Sequence, residues 1–303
     1  MQRLKALPGV DRDILYLVLM NASASVAKIA RTVGCSPNLV QSALRKLHAK
    51  GLIYRRVMID AFRLGLTRHS IYLSLSSEGQ RERERFVSYL VEHMATSVVM
   101  EVAGDYDLLV GVLVRNAAEL VQFQGELAAA FPGAVLRKEM AATVRHSVFG
   151  EKSLVTDKSL YSECSYAMSS ETSEADIVDR QILFLIGDGV IRSSAQLSRG
   201  LGIPPSTVEY RLKKLRERGI ICGDMFEVKG NMLGLLKYLV LVEMKGITDS
   251  LHADFVSFCR VHPYIPHISF EVGHWDYQVG AAVPEVQQLN RLLEELNDQF
   301  RGH

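Results

Sequence analysis

The apolar positions of this chain change period repeatedly, and each change marks an element. From Asp11 onward Ile14, Leu15, Leu17, Val18 and Leu19 form one helical face, with Asp11 placed to cap it. A second short helix is predicted near Val26 to Val33. Gly34 then supplies a tight turn, since a residue without Cβ takes positive φ without steric cost. Ser36 caps a third helix with Pro37 at its first position, where a missing N–H costs nothing. Along it Val40, Leu44 and Leu47 point inward and Asn38, Gln41, Ser42 and Arg45 outward. Gly51-Leu52-Ile53 closes that helix, and Tyr54-Arg55-Arg56-Val57 begins a strand or wing.

The period then becomes two. His69 to Leu75 alternates as a half-buried strand, and a helix is predicted from about Arg81 to His93. Strands Val98 to Ala103 and Leu108 to Val114 flank the turn Gly104-Asp105-Tyr106-Asp107. A helix from about Ala117 to Phe131 and a strand from about Val135 to Val144 complete the order strand, helix, strand, strand, helix, strand, which is ferredoxin-like.

The whole pattern occurs twice. Val10-Asp11-Arg12-Asp13-Ile14-Leu15 returns 168 positions later as Val178-Asp179-Arg180-Gln181-Ile182-Leu183, and Gly34, Val40, Leu44 and Leu47 meet Gly202, Val208, Leu212 and Leu215. After one inserted residue Gly104, Tyr106, Asp107 and Gly111 align with Gly273, Trp275, Asp276 and Gly280 at an offset of 169. The predicted fold class is therefore α+β, as two tandem units of winged helix-turn-helix and ferredoxin-like domain. Boundaries are expected at 1–66, 67–150, 175–234 and 235–303, with a serine-rich linker at 151–174. In the second unit Phe300-Arg301-Gly302 aligns with Phe131-Pro132-Gly133, so its last strand is expected to be lacking or supplied by a partner.

Charge changes the picture only when divided along the chain. The net charge is +1, yet residues 1–68 carry 12 Lys and Arg against 3 Asp and Glu, and residues 174–234 carry 9 against 8. One strongly basic module is the expected footprint of phosphate binding, so double-stranded DNA is the predicted partner. Arg45, Lys46, Lys50, Arg55 and Arg56 are assigned to phosphates, and Asn38, Gln41 and Ser42 to base edges in the major groove. In the second unit Glu209 replaces Gln41, and Asp224 and Glu227 enter the wing, which weakens DNA contact there. The four cysteines lack C-x-x-C spacing, and neither disulfide framework, metal site nor cofactor is expected. No apolar run approaches the roughly 20 residues that span a bilayer, and no signal peptide is visible. A cytoplasmic protein without membrane contact is expected. No nucleophile elbow, P-loop or H-E-x-x-H string provides for catalysis.

Asp-Arg-x-Ile-Leu at the start, Gly-x-Ser-Pro before the recognition helix, Leu-Gly after the wing and Gly-Asp-Tyr-Asp-Leu-Leu between the middle strands resemble the leucine-responsive regulator/AsnC (feast/famine) family, here in tandem. The resemblance implies a DNA-binding transcription regulator and not an enzyme. It also implies an intramolecular pseudo-dimer that assembles further into homo-oligomers, and a small-molecule effector, an amino acid or related metabolite, at sensor-domain interfaces. Carried over, the effector residues are Gly104, Asp105, Tyr106 and Asp107, with Gly273, His274, Trp275 and Asp276 in the second unit. The residues themselves also fit a tight hairpin whose aspartate bonds nearby N–H groups. Sirohaem decarboxylases share this organisation, and His262, His267 and His274 keep that enzyme as the alternative.

Overall fold

The computed structural model describes residues 9–22, 24–49, 53–169, 171–187, 193–228 and 233–302. Its first unit opens with helices α1 (Gly9–Met20), α2 (Val26–Val33) and α3 (Pro37–Ala49), followed by strand β1 (Ile53–Ile59). Gly34 ends α2 at φ 71°, the left-handed conformation that the turn requires, and its N–H bonds Ala30 O. Ser36 Oγ accepts from Leu39 N at 3.3 Å, so the predicted cap is formed.

The ferredoxin-like part of this unit, the expected sensor, contains β2 (Thr67–Leu75), α4 (Ser77–Arg81), α5 (Arg83–Glu92), β3 (Thr96–Glu101), β4 (Leu108–Val114), α6 (Ala117–Ala130) and β5 (Val135–Val148). The helix expected from Arg81 to His93 is α5, and a short helix that the sequence does not predict, α4, precedes it, capped by Ser76. Strand β5 runs four residues beyond its expected end at Val144. The second unit repeats the series as α7 (Ile177–Gly187), α8 (Ser194–Leu201), α9 (Pro205–Glu217), β7 (Ile221–Val228), β8 (Leu236–Val242), α10 (Asp249–Val261), β9 (His267–Gly273), β10 (Tyr277–Val283) and α11 (Val286–Phe300). Gly202 repeats the role of Gly34 at φ 65°. The fold is α+β in two units, as the periodicity predicts.

Two shared structures join the units. Strands β1 and β7, the two wings, pair antiparallel from Ile53↔Val228 to Ile59↔Ile221 as a separate two-stranded ribbon. The sensor strands form one sheet in the order β3-β4-β2-β5-β9-β10-β8, with β5 beside β9 from Ala141↔Gly273 to Val148↔His267. Each unit keeps the ferredoxin-like arrangement on its side of this seam. Among the described residues no strand pairs the far edge of β8, the place that the last strand of the second unit would take.

Helices cover one face of this sheet over two apolar cores, centred on Phe86, Leu90 and Phe123 in the first unit and on Phe255, Cys259 and Leu292 in the second. The other face curls inward. Gln278 Nε2 donates to Tyr72 OH at 3.1 Å although β5 and β9 lie between their strands. Side chains standing on a flat sheet at that separation, roughly 14 Å, would not meet.

The expected linker is not a spacer. Residues 151–174 hold two 3-10 turns and strand β6 (Cys164–Ala167), which pairs with β5. Lys152 is fully buried, and its Nζ donates to Cys259 O at 2.7 Å and Arg260 O at 2.9 Å near the end of α10.

Candidate nucleic-acid interface and sensor loops

Helix α3 buries Val40, Ala43 and Leu47 against α1 and α2, which fixes its other face toward solvent. Asn38, Gln41, Arg45 and Lys46 are exposed there, and Ser42 is half-buried. Among the described residues neither Arg45 nor Lys46 has a carboxylate within ion-pair distance, so their charge is available to an anion. Lys50 lies outside the described residues.

Arg55 and Arg56 stand differently. In the ribbon Arg55 Nε donates to Asp224 Oδ1 at 2.6 Å within a bidentate pair, and Arg56 pairs with Glu227. Their guanidinium groups join the two wings and are already matched by carboxylates of the other unit. The sequence alone assigns both to phosphates, and both meet carboxylates about 170 positions away. No local pattern in the sequence announces that pairing.

The second recognition helix, α9, buries Val208 and Leu215 in the same way. Its cations are largely engaged: Arg211 binds Asp176 at 2.7 Å and Asp179 at 2.8 Å, and Lys214 binds Glu217 at 2.9 Å. Glu209 is exposed and accepts from Ser194 at 3.1 Å. The electrostatic contrast between the units therefore survives folding.

In the first sensor loop Asp107 accepts from Leu75 N and Gln80 Nε2 at 2.7 Å, with Arg83 alongside. These bonds, first that from Leu75 N, hold its carboxyl below the usual aspartate range. Asp276 repeats the arrangement, accepting from Met244 N at 2.6 Å. Both aspartates thus tie their hairpin to the end of the neighbouring strand, β2 or β8, 32 positions earlier, instead of closing a local turn. Tyr106 lies 5.4 Å from the Tyr72 ring with the Arg137 guanidinium 4.6 Å from its own centroid, while Gly104 and Asp105 are exposed.

The second loop sits on the seam. A Cβ at Gly273 would strike Met140 O and Ala141 of β5, so only glycine allows this approach. His274 N donates to Met140 O at 3.3 Å, and its ring lies 3.6 Å from Glu139. The Trp275 indole Nε1 is buried with no hydrogen-bond partner among the described residues.

The histidines of the second unit do not share surroundings. His262 caps α10 beside Glu295, His274 faces Glu139, and His267 lies 5.8 Å from His146 across the seam. Burial, with positive charge nearby, lowers His146 well below the ordinary imidazole value and His267 to about 4. Sequence reasoning missed this concave face. There Glu271 is buried, with its carboxyl pushed up by burial, and accepts from Ser70 at 2.8 Å and Thr143 at 3.3 Å. Its Oε2 and the Nε of Arg68 are buried with no hydrogen-bond partner among the described residues. The only signal available was polar alternation in two strands 200 residues apart.

A winged helix-turn-helix DNA-binding family matches residues 8–54 and 176–221, once in each unit. The proline dehydrogenase transcriptional activator of Rhodobacter capsulatus is 32% identical over 127 residues, 41% of this chain and 82% of that protein. The chain belongs to the leucine-responsive regulator/AsnC family. The transcriptional regulator AldR of Mycolicibacterium smegmatis is 26% identical over 126 residues, 41% of this chain and 74% of its own length. Among solved structures, the sirohaem decarboxylase NirDL aligns over 96% of this chain and 87% of its own with a TM-score of 0.58. At 13% identity that likeness speaks for the shared two-unit fold alone. Among the described residues no helix is long and apolar enough to cross a membrane.

Proposed function

We propose that the chain is a DNA-binding transcription regulator whose first helix-turn-helix makes the principal contact with duplex DNA. One observation carries this reading: α3 presents Asn38, Gln41, Arg45 and Lys46 together on an exposed face, and neither of its two cations there is engaged by a carboxylate among the described residues. Arg45 and Lys46 bind phosphates, and Asn38, Gln41 and Ser42 meet base edges. Lys50 is assigned to phosphates from its sequence position alone. Arg55 and Arg56 act indirectly, by fixing the ribbon that sets the distance between the two helix-turn-helix heads. Units at 1–66, 67–150, 175–234 and 235–303 divide DNA binding from sensing, and one chain forms a pseudo-dimer.

A small-molecule effector, an amino acid or related metabolite, acts at the sensor interface. The loop Gly273-His274-Trp275-Asp276 is best placed for it, since Trp275 offers a buried donor at the seam; Gly104, Asp105, Tyr106 and Asp107 are its exposed counterpart. An effector there alters the seam and hence the spacing of the heads.

The test is a gel-shift series over salt with Arg45→Ala/Lys46→Ala. Removing one cation that neutralises a phosphate lowers the slope of log K against log salt by about one, so the double variant should lose about two along with affinity. An unchanged slope and affinity would remove the assignment of α3. An absorbance titration with sirohaem separates the enzyme reading, because tight binding with turnover overturns the regulator.

A further inference from the structure

We infer that Cys164 and Cys222 form an oxidative modification site, a thiol pair that closes to a disulfide under peroxide and fastens the wing ribbon to the sensor sheet. The two residues are 58 positions apart and belong to different layers: Cys164 begins β6 on the edge of the sheet, and Cys222 lies in β7 of the ribbon. Cys164 Sγ lies 3.3 Å from Cys222 O, and Cys222 Sγ lies 3.5 Å from Met58 O. Gly223 makes the approach possible, because a Cβ there would come within 2.7 Å of Cys164 Sγ. Where a side chain would hold the layers apart, the glycine lets sulfur meet backbone.

Their surroundings divide the chemistry. A hydrogen bond from Cys222 lowers the Cys164 thiol below its usual value, while the same bond and burial raise Cys222. Thiolate is the reactive form, so Cys164 is the attacking sulfur and Cys222 the resolving one. The Cys164 thiolate attacks one peroxide oxygen, the O–O bond breaks, and hydroxide leaves and is protonated to water. Cys222 sulfur then attacks the resulting sulfenic sulfur. The S–O bond breaks as the S–S bond forms, and the proton of Cys222 leaves with the hydroxide as a second water. Two thiols are oxidised by two electrons, and one hydrogen peroxide is reduced to two waters. Cys259 is buried in the second sensor core and Cys35 packs in the first helix-turn-helix, so neither competes.

This inference does not rest on DNA binding. The reduced full-length protein is treated with one equivalent of hydrogen peroxide, denatured, alkylated and digested. Two of the four thiols should become unavailable to the alkylating agent, with one cross-linked mass joining the Cys164 and Cys222 peptides, restored by dithiothreitol. Cys35→Ser/Cys259→Ser should behave alike, whereas Cys164→Ser and Cys222→Ser should each abolish the cross-link. Hydrogen exchange of residues 221–228 should slow on oxidation. Four intact thiols, irreversible oxidation of Cys164 alone, or a cross-link through Cys35 or Cys259 would each overturn the site. If either serine variant fails to fold, peptide mapping of the unsubstituted protein still decides.

Discussion

Lys152 shows how a single side chain converts an expected spacer into a structural member. Its ammonium sits against the last carbonyls of α10, where the helix dipole favours positive charge, with the Phe149 ring 4.5 Å away. Burial nevertheless lowers its pKa from 10.5 to about 7. Because the folded value is the lower one, the unfolded chain binds more protons between pH 7 and 10.5, and stability must rise with pH in that window. The gain from pH 7 to 9 should be on the order of 2 kcal/mol, and Lys152→Met should flatten it. Urea midpoints at the two pH values measure this; parallel profiles for both proteins would show that the amine is not held as described. Nothing around Lys152 in the sequence signals burial. A lysine in a serine-rich stretch reads as solvated, and only the fold reveals the two carbonyls that receive it.

At the scale of elements, periodicity made most helices and strands legible, because each needs only local spacing. Val40 and Leu47 on α3, or Ile71, Leu73 and Leu75 on β2, fall where their pattern places them. Pairing between distant strands left no such mark. The arginines of β1 read equally well as phosphate ligands or as partners for carboxylates, and Asp224 and Glu227 read as a weakened DNA surface. The ribbon makes the two observations one: the charges of opposite sign are complementary across β1 and β7. Asp224 is nearly buried, with its side chain 9% exposed, so removing it strands part of the Arg55 charge. Asp224→Ala should cost about 1–3 kcal/mol. In a double-mutant cycle with Arg55→Ala the pair should couple by more than about 0.5 kcal/mol. Additive losses would mean that the two groups do not act together.

For the whole molecule, the duplicated sequence suggests two units that could melt separately, as domains joined by linkers usually do. The shared structures argue against it. The seam places Thr143 and Glu271 in one buried hydrogen-bonded set, the ribbon takes one strand from each unit, and Lys152 ties the connecting segment to α10. Opening one sensor domain would expose the edge of the other and leave Glu271 without its partners from β2 and β5. Trp275, the sole tryptophan, lies in the second unit at this seam and reports its integrity, while far-ultraviolet circular dichroism reports helices of both units. Urea transitions followed by the two signals should therefore coincide at one midpoint. An earlier loss of ellipticity, with Trp275 fluorescence still native, would show that the first unit unfolds alone and that the seam does not couple the repeats. Such coupling is what the proposed effector control requires, since a seam that opened freely would transmit nothing between the two heads.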